Sequence, residues 1–347
     1  MSCYTCYKFA QVDQKENGYP GHMQASHRLS SEGNAETGNL LVFVHIPKTA
    51  GTTLNSILAH RYSSGEFHEV MMRGMSLIAP RHMAPPKPLI SPSKLRRLRS
   101  ALKHQHGPQV INGHFDMSLA RLLPTSAQYV TILREPVERA ISHFCHYRKL
   151  TADPAHALAM RSTLTEWVST CGLVEMDNGQ TRRLAGEMAL PIGDVSCQTL
   201  AKAKANLATR FAVVGLTERF AESQILLHRN FNWPYFRYAA RNAGENRPRR
   251  TEVGGEALAI MENSNRFDIE LYRFASELFE QAVSKVDMDR ELSAMNNAPE
   301  YAEPLRPVPE WSLPAGGKLR SELDAWLSAR PFQGGIGKLR VLSDWLR

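Results

Sequence analysis

Three short apolar runs, each followed directly by a helical pattern, constrain the fold of this chain more than any other feature. The runs are LLVFVHI (40–46), QYVTILR (128–134) and RFAVVGLTE (210–218). Continuous apolar runs of this length are typical of strands that are buried on both faces. Such strands, alternating with helices, predict a parallel α/β sheet that binds ligands at the carboxyl ends of its strands. A shorter candidate strand, QVING (109–113), precedes His114.

The loop after the first run, HIPKTAGTTL (45–54), has the composition of an anion-binding turn. Pro47 stiffens the exit from the strand, and the small pair Ala50-Gly51 leaves room for backbone N–H groups to approach an anion. The two threonines that follow begin a helix whose amino end carries partial positive charge, and Lys48 adds a full charge. The order differs from the Walker pattern GxxxxGK[ST], in which lysine follows the glycines. By itself, the loop is also compatible with an ordinary strand–helix turn that bears an exposed lysine.

The second run ends in an arginine. A Walker-type enzyme needs an acidic residue at the end of a neighbouring strand to help hold Mg²⁺, whereas YVTIL is followed by Arg134. Arginine suits phosphate recognition, so Arg134 is expected to bind an anion, and Ser142 on the next helix can offer its hydroxyl to the same anion. We therefore expect a P-loop-NTPase-like parallel sheet of about four to five strands flanked by helices, with a largely helical C-terminal part. Its site would bind more than one phosphate and work without a metal.

Composition along the chain predicts three parts. Residues 1–38 are polar and aperiodic, which predicts a mobile N-terminal arm. The folded domain spans 39–296 and includes a strongly amphipathic helical stretch at 265–286. A proline-bearing segment then leads into a C-terminal helical extension, 297–347.

The net charge of +8 indicates an anionic partner without identifying it. The positive charge is scattered, with no aromatic platform or nucleic-acid motif, so we expect no nucleic-acid partner. No apolar run approaches the roughly 20 residues of a transmembrane helix, and the amino terminus lacks the order of a signal peptide. The five cysteines, which include a lone Cys3-x-x-Cys6 pair, are too few for a disulfide framework. These features predict a soluble, cytoplasmic protein.

Two stretches together resemble the cofactor motifs of a known family. FVHIPKTAGTTL (43–54) and YVTILREPVERAISHFCHY (129–147) are similar to those of carbohydrate sulfotransferases, in particular the heparan sulfate 2-O- and 6-O-sulfotransferases and their soluble bacterial relatives. Further likenesses follow in the family's order, and the resemblance covers roughly residues 40–275. They are NGHF (112–115), NGQTRRLAG (178–186), FAVVGLTERFAES (211–223) and NSNRFDIELYRFA (263–275).

The resemblance implies the cofactor 3′-phosphoadenosine 5′-phosphosulfate (PAPS), with no metal, and in-line transfer of its sulfuryl group to a hydroxyl of a carbohydrate or glycolipid, acidic ones included. It implies that Lys48 stabilises the leaving phosphate and that Arg134 and Ser142 bind the 3′-phosphate. Arg249 and Arg250 lie in a basic stretch, RNAGENRPRR (241–250), that either helps to cover the nucleotide or is a solvated loop. The loop residues assigned to the 5′-phosphosulfate are Lys48, Thr49, Ala50, Gly51, Thr52 and Thr53.

The resemblance also identifies His114, in INGHFDMSL, as the expected general base. A base within about 3 Å of the acceptor hydroxyl would take its proton as it attacks sulfur. The alternative is that His114 caps the next helix. His45 is a rival base, although a packing or hydrogen-bonding role behind the loop is favoured for it.

Several stretches remain open to two interpretations. Gln180, Thr181 and Arg182 either face the acceptor or belong to a helix start that Asn178 caps. The basic segment 81–107 is either a surface helix or an electrostatic funnel for a polyanionic glycan. Two rival functions also remain: an ATP-dependent phosphotransferase, and a non-catalytic protein that binds polyanions or nucleotides.

Overall fold

The structure is a computed structural model that describes residues 40–62, 66–70, 109–151, 155–237 and 247–299. The predicted N-terminal arm, the basic segment 81–107 and residues 300–347 of the predicted C-terminal extension lie outside these ranges. The predictions for those parts therefore remain predictions.

The first half of the described chain alternates strands and helices. Its elements are β1 (Leu40–Val44), α1 (Gly51–Arg61), β2 (Phe67–Glu69), β3 (Gln109–Gly113), a 3-10 helix (Met117–Leu122), β4 (Gln128–Leu133) and α2 (Pro136–Tyr147). Glu135 precedes α2 and accepts a hydrogen bond from the Glu138 N–H at 2.7 Å, while Pro136 occupies the first turn, where no amide donor is needed.

The second half is mainly helical. Its elements are α3 (Ala155–Arg161), α4 (Leu164–Thr170), a 3-10 helix (Val174–Met176), α5 (Gly179–Ala185), α6 (Cys197–Arg210), β5 (Phe211–Leu216), a 3-10 helix (Thr217–Arg219), α7 (Phe220–Asn230), a 3-10 helix (Arg250–Glu252), α8 (Gly255–Ser264), α9 (Arg266–Val283) and α10 (Met288–Asn296). Helix α9 is the amphipathic helix that the sequence predicts.

The five strands of the described ranges form one parallel sheet in the order β2-β3-β1-β4-β5. Strand β1 lies in the centre, where Leu41 is level with Val110 of β3 and with Gln128 of β4. Every residue of β1 is buried, as its apolar sequence requires for a strand covered on both faces. The predicted α/β class and parallel sheet are therefore confirmed. The three-residue strand β2, which has no apolar run, was not predicted.

Two apolar clusters hold the described helices in place. The larger surrounds the sheet and includes side chains of α9 such as Leu271 and Phe279. The smaller packs helices α2, α3, α4 and α8 around the fully buried Trp167. No helix among the described residues is long and apolar enough to cross a membrane.

Because the strands are parallel, their carboxyl ends meet at one edge of the sheet. That edge gathers the loop after β1, His114 after β3 and Arg134 after β4. The fold thus brings together three segments that are separated by up to 86 positions in the sequence, as the contact between Arg134 and Lys48 shows.

Candidate functional site

The loop between β1 and α1 has an unusual backbone. Lys48 and Ala50 both adopt positive φ angles, 69° and 60°, which is uncommon for residues other than glycine. The buried Thr49 hydroxyl donates to the Ile46 carbonyl at 2.8 Å, and the amides of Thr53 and Leu54 donate to the Ala50 carbonyl at 3.1 and 3.3 Å. Left-handed residues in a turn that opens a helix are typical of sites where backbone N–H groups face an anion.

Gly51 is required by the close approach of His45. A Cβ atom at position 51 would lie 1.9 Å from the Nε2 atom of His45. The buried His45 ring also stacks on Phe43, with ring centroids 5.3 Å apart, and its Nδ1 atom lies 3.4 Å from the Asn55 amide nitrogen. His45 therefore supports the loop from behind, in the packing role that the sequence analysis favours for it.

Positive charge concentrates around Lys48. The Arg134 guanidinium donates from Nη1 to the Lys48 carbonyl at 3.1 Å. Burial, together with the nearby Arg134, lowers the pKa of Lys48 to about 8. Burial and Arg134 likewise lower the pKa of Arg247 to about 10. Within the described part of the chain, Lys48 forms no ion pair. The site thus has an excess of cationic groups that a bound anion would relieve.

One face of α2 borders this loop. Cys145 and Lys149 both act electrostatically on Lys48, and burial is the main cause that raises the pKa of the Cys145 thiol. Ser142 lies one turn before Cys145 on the same helical face. Its half-buried hydroxyl forms no hydrogen bond within the described ranges. Ser142 therefore shares the helical face of Cys145, and its hydroxyl has no partner among the described residues.

His114 follows β3 at the neighbouring strand end. Gly113 before it has a φ of 149°, and a Cβ atom there would lie 1.8 Å from the Val70 carbonyl oxygen. The His114 ring stacks on His45 with centroids 4.3 Å apart, and its Nδ1 atom is buried without a hydrogen-bond partner. Asp116, not His114, caps the following 3-10 helix by accepting from the Ser118 N–H at 3.0 Å. The capping alternative is therefore not what the structure shows.

Burial keeps the His114 imidazole neutral even at acidic pH. It lowers the pKa of His114 to about 3, with a further lowering by Arg183. Arg183 also donates from Nη1 to the Phe115 carbonyl at 3.0 Å, which fixes the residue next to His114. A neutral imidazole can accept a proton, as a general base must.

Three more histidines around Lys48 share this property. Burial is the largest cause that lowers the pKa values of His45, His143 and His146, and the charge of Lys48 lowers all three further. For His146 the result is about 4. His143 lies 3.2 Å, Nε2 to Nη1, from the buried Arg139. These rings leave the positive charge of the site to lysine and arginine.

Of the basic stretch 241–250, which the sequence leaves open between a nucleotide cover and a solvated loop, the structure describes residues 247–250. Arg247 pairs with Glu138 on α2 and lies close enough to Arg134 to lower its own pKa through that charge. Arg250 is exposed and pairs with Glu135, at 3.0 Å, and with Glu262. Arg249 is exposed, and its backbone N–H donates to Glu252 at 2.8 Å. The structure thus brings Arg247 to the cationic group and places Arg249 and Arg250 at the outer edge.

Helix α5 carries the residues for which two interpretations remained open. Gln180, Thr181 and Arg182 are fully buried. The Gln180 side chain forms hydrogen bonds with the backbone of Arg134, and Arg182 donates from Nε to the Asp177 carbonyl at 2.7 Å. Asn178 precedes α5 with a φ of 53°, but its side chain accepts from the amides of Phe267 and Asp268 at the start of α9. No pattern in the sequence other than the residue types predicts these contacts.

Several donors at the site remain available to an anion. A buried donor without a protein partner requires an explanation, and a bound ligand or water is one. The guanidinium Nε of Arg134 is such an atom. Among the residues that the structure describes, the Ser142 hydroxyl and the Lys48 ammonium also have no partner. Among the described residues, no group of histidine, cysteine and acidic side chains is arranged to hold a metal ion.

Comparison with known proteins agrees with the motif resemblance. The model of the galactose-3-O-sulfotransferase family matches residues 7–302. The chain is 29% identical over 197 residues to heparan-sulfate 6-O-sulfotransferase 1 of Homo sapiens, covering 47% of this chain and 46% of that protein. It is 27% identical over 292 residues to heparan-sulfate 6-O-sulfotransferase 2 of Gallus gallus, covering 72% of this chain and 68% of that protein.

The chain therefore spans about half the length of the human relative. A likeness also exists to the crystal structure of mouse sulfotransferase SULT7A1 complexed with PAP, with a TM-score of 0.35 and 16% identity over 74% of this chain and 88% of that chain. The family model covers most of this chain and both curated relatives are carbohydrate sulfotransferases, which confirms the resemblance drawn from the motifs. The chain belongs to the galactose-3-O-sulfotransferase family.

Proposed function

We propose that this protein transfers the sulfuryl group of PAPS to a hydroxyl of a carbohydrate or glycolipid acceptor. Family membership supports the class of reaction. The single observation that carries the proposal is the cationic loop, in which Lys48 lies beside Arg134 without an ion-pair partner among the described residues. A phosphosulfate cofactor carries several negative charges, which lysine and arginine side chains can bind directly.

Two separate anion sites would hold the two ends of the cofactor. The loop from Lys48 to Thr53 would bind the 5′-phosphosulfate through its backbone N–H groups and the start of α1. Arg134 and Ser142 would bind the 3′-phosphate, which is absent from ATP. The unpartnered Nε of Arg134 and the free Ser142 hydroxyl support this assignment. We add Arg247 to the proposed 3′-phosphate site because it lies close to Arg134. Arg249 and Arg250 would contribute positive charge from the outer edge of the site.

The cofactor would supply the sulfuryl group and leave as adenosine 3′,5′-bisphosphate (PAP). Lys48 would stabilise the negative charge that grows on the departing phosphate, a contribution that is larger in the transition state than in the ground state. His114, whose imidazole is neutral, would accept the proton of the attacking hydroxyl.

The low pKa of His114, about 3, makes it a weak base when the anion sites are empty. Negative charge near a histidine favours its protonated form and raises its pKa. Anionic groups bound beside Lys48 and Arg134 would therefore strengthen His114 as a base when the cofactor is present. Proton uptake by His114 would thus be favoured when the cofactor is bound.

The acceptor class follows from the relatives. The family name refers to galactose and the curated relatives to heparan sulfate, and both are carbohydrates. We propose a sugar hydroxyl in a polysaccharide, glycolipid or glycoside as the acceptor. The cytoplasmic location expected from the sequence stays a prediction.

Ligand-dependent thermal stability tests the proposal. The protein is heated with PAP, with ADP or with ATP–Mg²⁺, each at the same concentration. A ligand at about one hundred times its dissociation constant adds roughly 2.7 kcal/mol of stability. Stabilisation by PAP alone supports the two anion sites and leads to a screen of sugars with labelled donor. Preference for ATP–Mg²⁺ favours a phosphotransferase, and the absence of any response favours a non-catalytic protein.

A further inference from the structure

The side chain of Gln180 forms two hydrogen bonds with one residue of the candidate site. The Arg134 backbone N–H donates to Gln180 Oε1 at 3.0 Å, and Gln180 Nε2 donates to the Arg134 carbonyl at 2.9 Å. The opposite orientation of the amide would place oxygen against oxygen and nitrogen against nitrogen, so the pair of bonds fixes it. Arg134 lies just beyond the end of β4. The Gln180 side chain therefore gives its backbone N–H and C=O the hydrogen-bond partners that a neighbouring strand gives to a residue within a sheet.

Gln180 is itself held from the other side. Its backbone N–H donates to Asp268 Oδ2 at 3.1 Å, and the Thr181 N–H donates to Asp268 Oδ1 at 2.7 Å. Asp268 is fully buried and pairs with Arg139 of α2, with 3.4 Å between Oδ2 and Nη2. The buried position of Gln180 is thus tied to α9 and α2 at once, and this leaves its side chain little freedom to move.

The backbone at Arg134 controls more than its own position. Its guanidinium reaches back to the Lys48 carbonyl at 3.1 Å, and its Nε atom is buried without a partner. A rotation of the peptide at the end of β4 would move this guanidinium away from the loop and from any phosphate bound there. Arg134 leaves the sheet at this point. The Thr217 hydroxyl donates to the Leu133 carbonyl at 3.0 Å and Glu218 accepts from the Glu135 N–H at 3.0 Å, so Gln180 supplies the bonds of the N–H and C=O of Arg134 itself.

We propose that Gln180 is a positioning residue that fixes the Arg134 backbone so that its guanidinium can bind the 3′-phosphate of the cofactor. This inference rests on the proposed function. It assigns to Gln180 a task within the cofactor site that differs from contact with the acceptor, since the side chain is buried and both of its polar ends are occupied.

The test is the affinity of the full chain for PAP, measured by titration calorimetry well below the melting temperature. Gln180→Leu removes both hydrogen bonds and is expected to weaken PAP binding about tenfold or more, since it leaves two backbone groups without partners. Gln180→Met is close to glutamine in length and adds no charge, and it also removes both hydrogen bonds, so a similar loss of affinity is expected. The matched control is Gln224→Leu, the same change at another buried glutamine.

The outcomes separate this inference from the proposed function. If the unmodified protein does not bind PAP, the proposed function fails and the inference with it. If the unmodified protein binds PAP and both Gln180 variants bind it equally well, the inference alone is wrong. A lower melting temperature with unchanged PAP affinity would also overturn it, because that is the result of a purely structural role. Weaker PAP binding in both Gln180 variants, with Gln224→Leu unaffected, supports it.

Discussion

Gly51 packs directly against the His45 ring: a Cβ atom at position 51 would lie 1.9 Å from the Nε2 atom of His45. Gly51 begins α1 and follows the left-handed Ala50. The glycine is therefore explained by the approach of a ring from β1 rather than by its own backbone angle. His45 in turn stacks on His114, so this contact links two strand ends.

Gly51→Ala should destabilise the protein by about 1–3 kcal/mol, the usual cost of inserting atoms into a packed site. Urea unfolding measures the loss. The control is the same substitution in a His45→Ala background, where the ring that would clash is absent and the added cost of the alanine should become small. Additive effects of the two substitutions would contradict the contact.

His114→Ala should lower turnover by about 10²–10⁴-fold while PAP affinity stays near that of the unmodified protein, because a general base acts on the acceptor and not on the nucleotide. Sulfuryl transfer and PAP titration are measured on the same preparation. His228→Ala, a buried histidine on α7, is the matched control and should retain activity. Loss of PAP binding in His114→Ala would show that the histidine supports the cofactor site instead.

PAP affinity should fall as the pH rises above about 8, the pKa of Lys48 in the free protein. A bound anion favours the protonated lysine, so binding requires a charge that is fully present below that pKa and disappears above it. Titrations from pH 7 to pH 10 measure the effect. In Lys48→Arg the charge persists, so the affinity of that variant should vary less over this interval. The same steep fall in the variant would assign the titration to another group.

Arg247→Ala should weaken PAP binding more than Arg249→Ala does. Arg247 lies near Arg134 and pairs with Glu138. The Arg249 side chain is exposed, and the hydrogen bond to the Glu252 carboxylate comes from the Arg249 backbone N–H. An exposed charge contributes little and is screened by salt. Titrations of both variants at low and at high salt measure the difference. Equal losses, or a larger loss in Arg249→Ala, would return the assignment to the outer part of the segment.

The sequence by itself determined the class of fold and much of the candidate site. The apolar runs at 40–46 and 128–134 had to become buried strands, and their spacing by helical segments required a parallel sheet. In such a sheet the carboxyl ends meet, so Lys48, His114 and Arg134 were predictable neighbours. Local composition carries this information because side-chain burial and backbone geometry are decided over a few residues.

Only the tertiary structure decided which arginine approaches Arg134, why position 51 is glycine and where the Gln180 side chain lies. Arg247, Arg249 and Arg250 cannot be told apart from the sequence. In the structure Arg247 pairs with Glu138, and Arg250 pairs with Glu135 and Glu262. Gln180 accepts a hydrogen bond from Arg134, 46 positions away, and its own backbone N–H donates to Asp268, 88 positions away. Such contacts depend on packing between elements, which no local pattern encodes. The sequence therefore determined the kind of site, and the packing of α2, α5 and α9 decided how it is held.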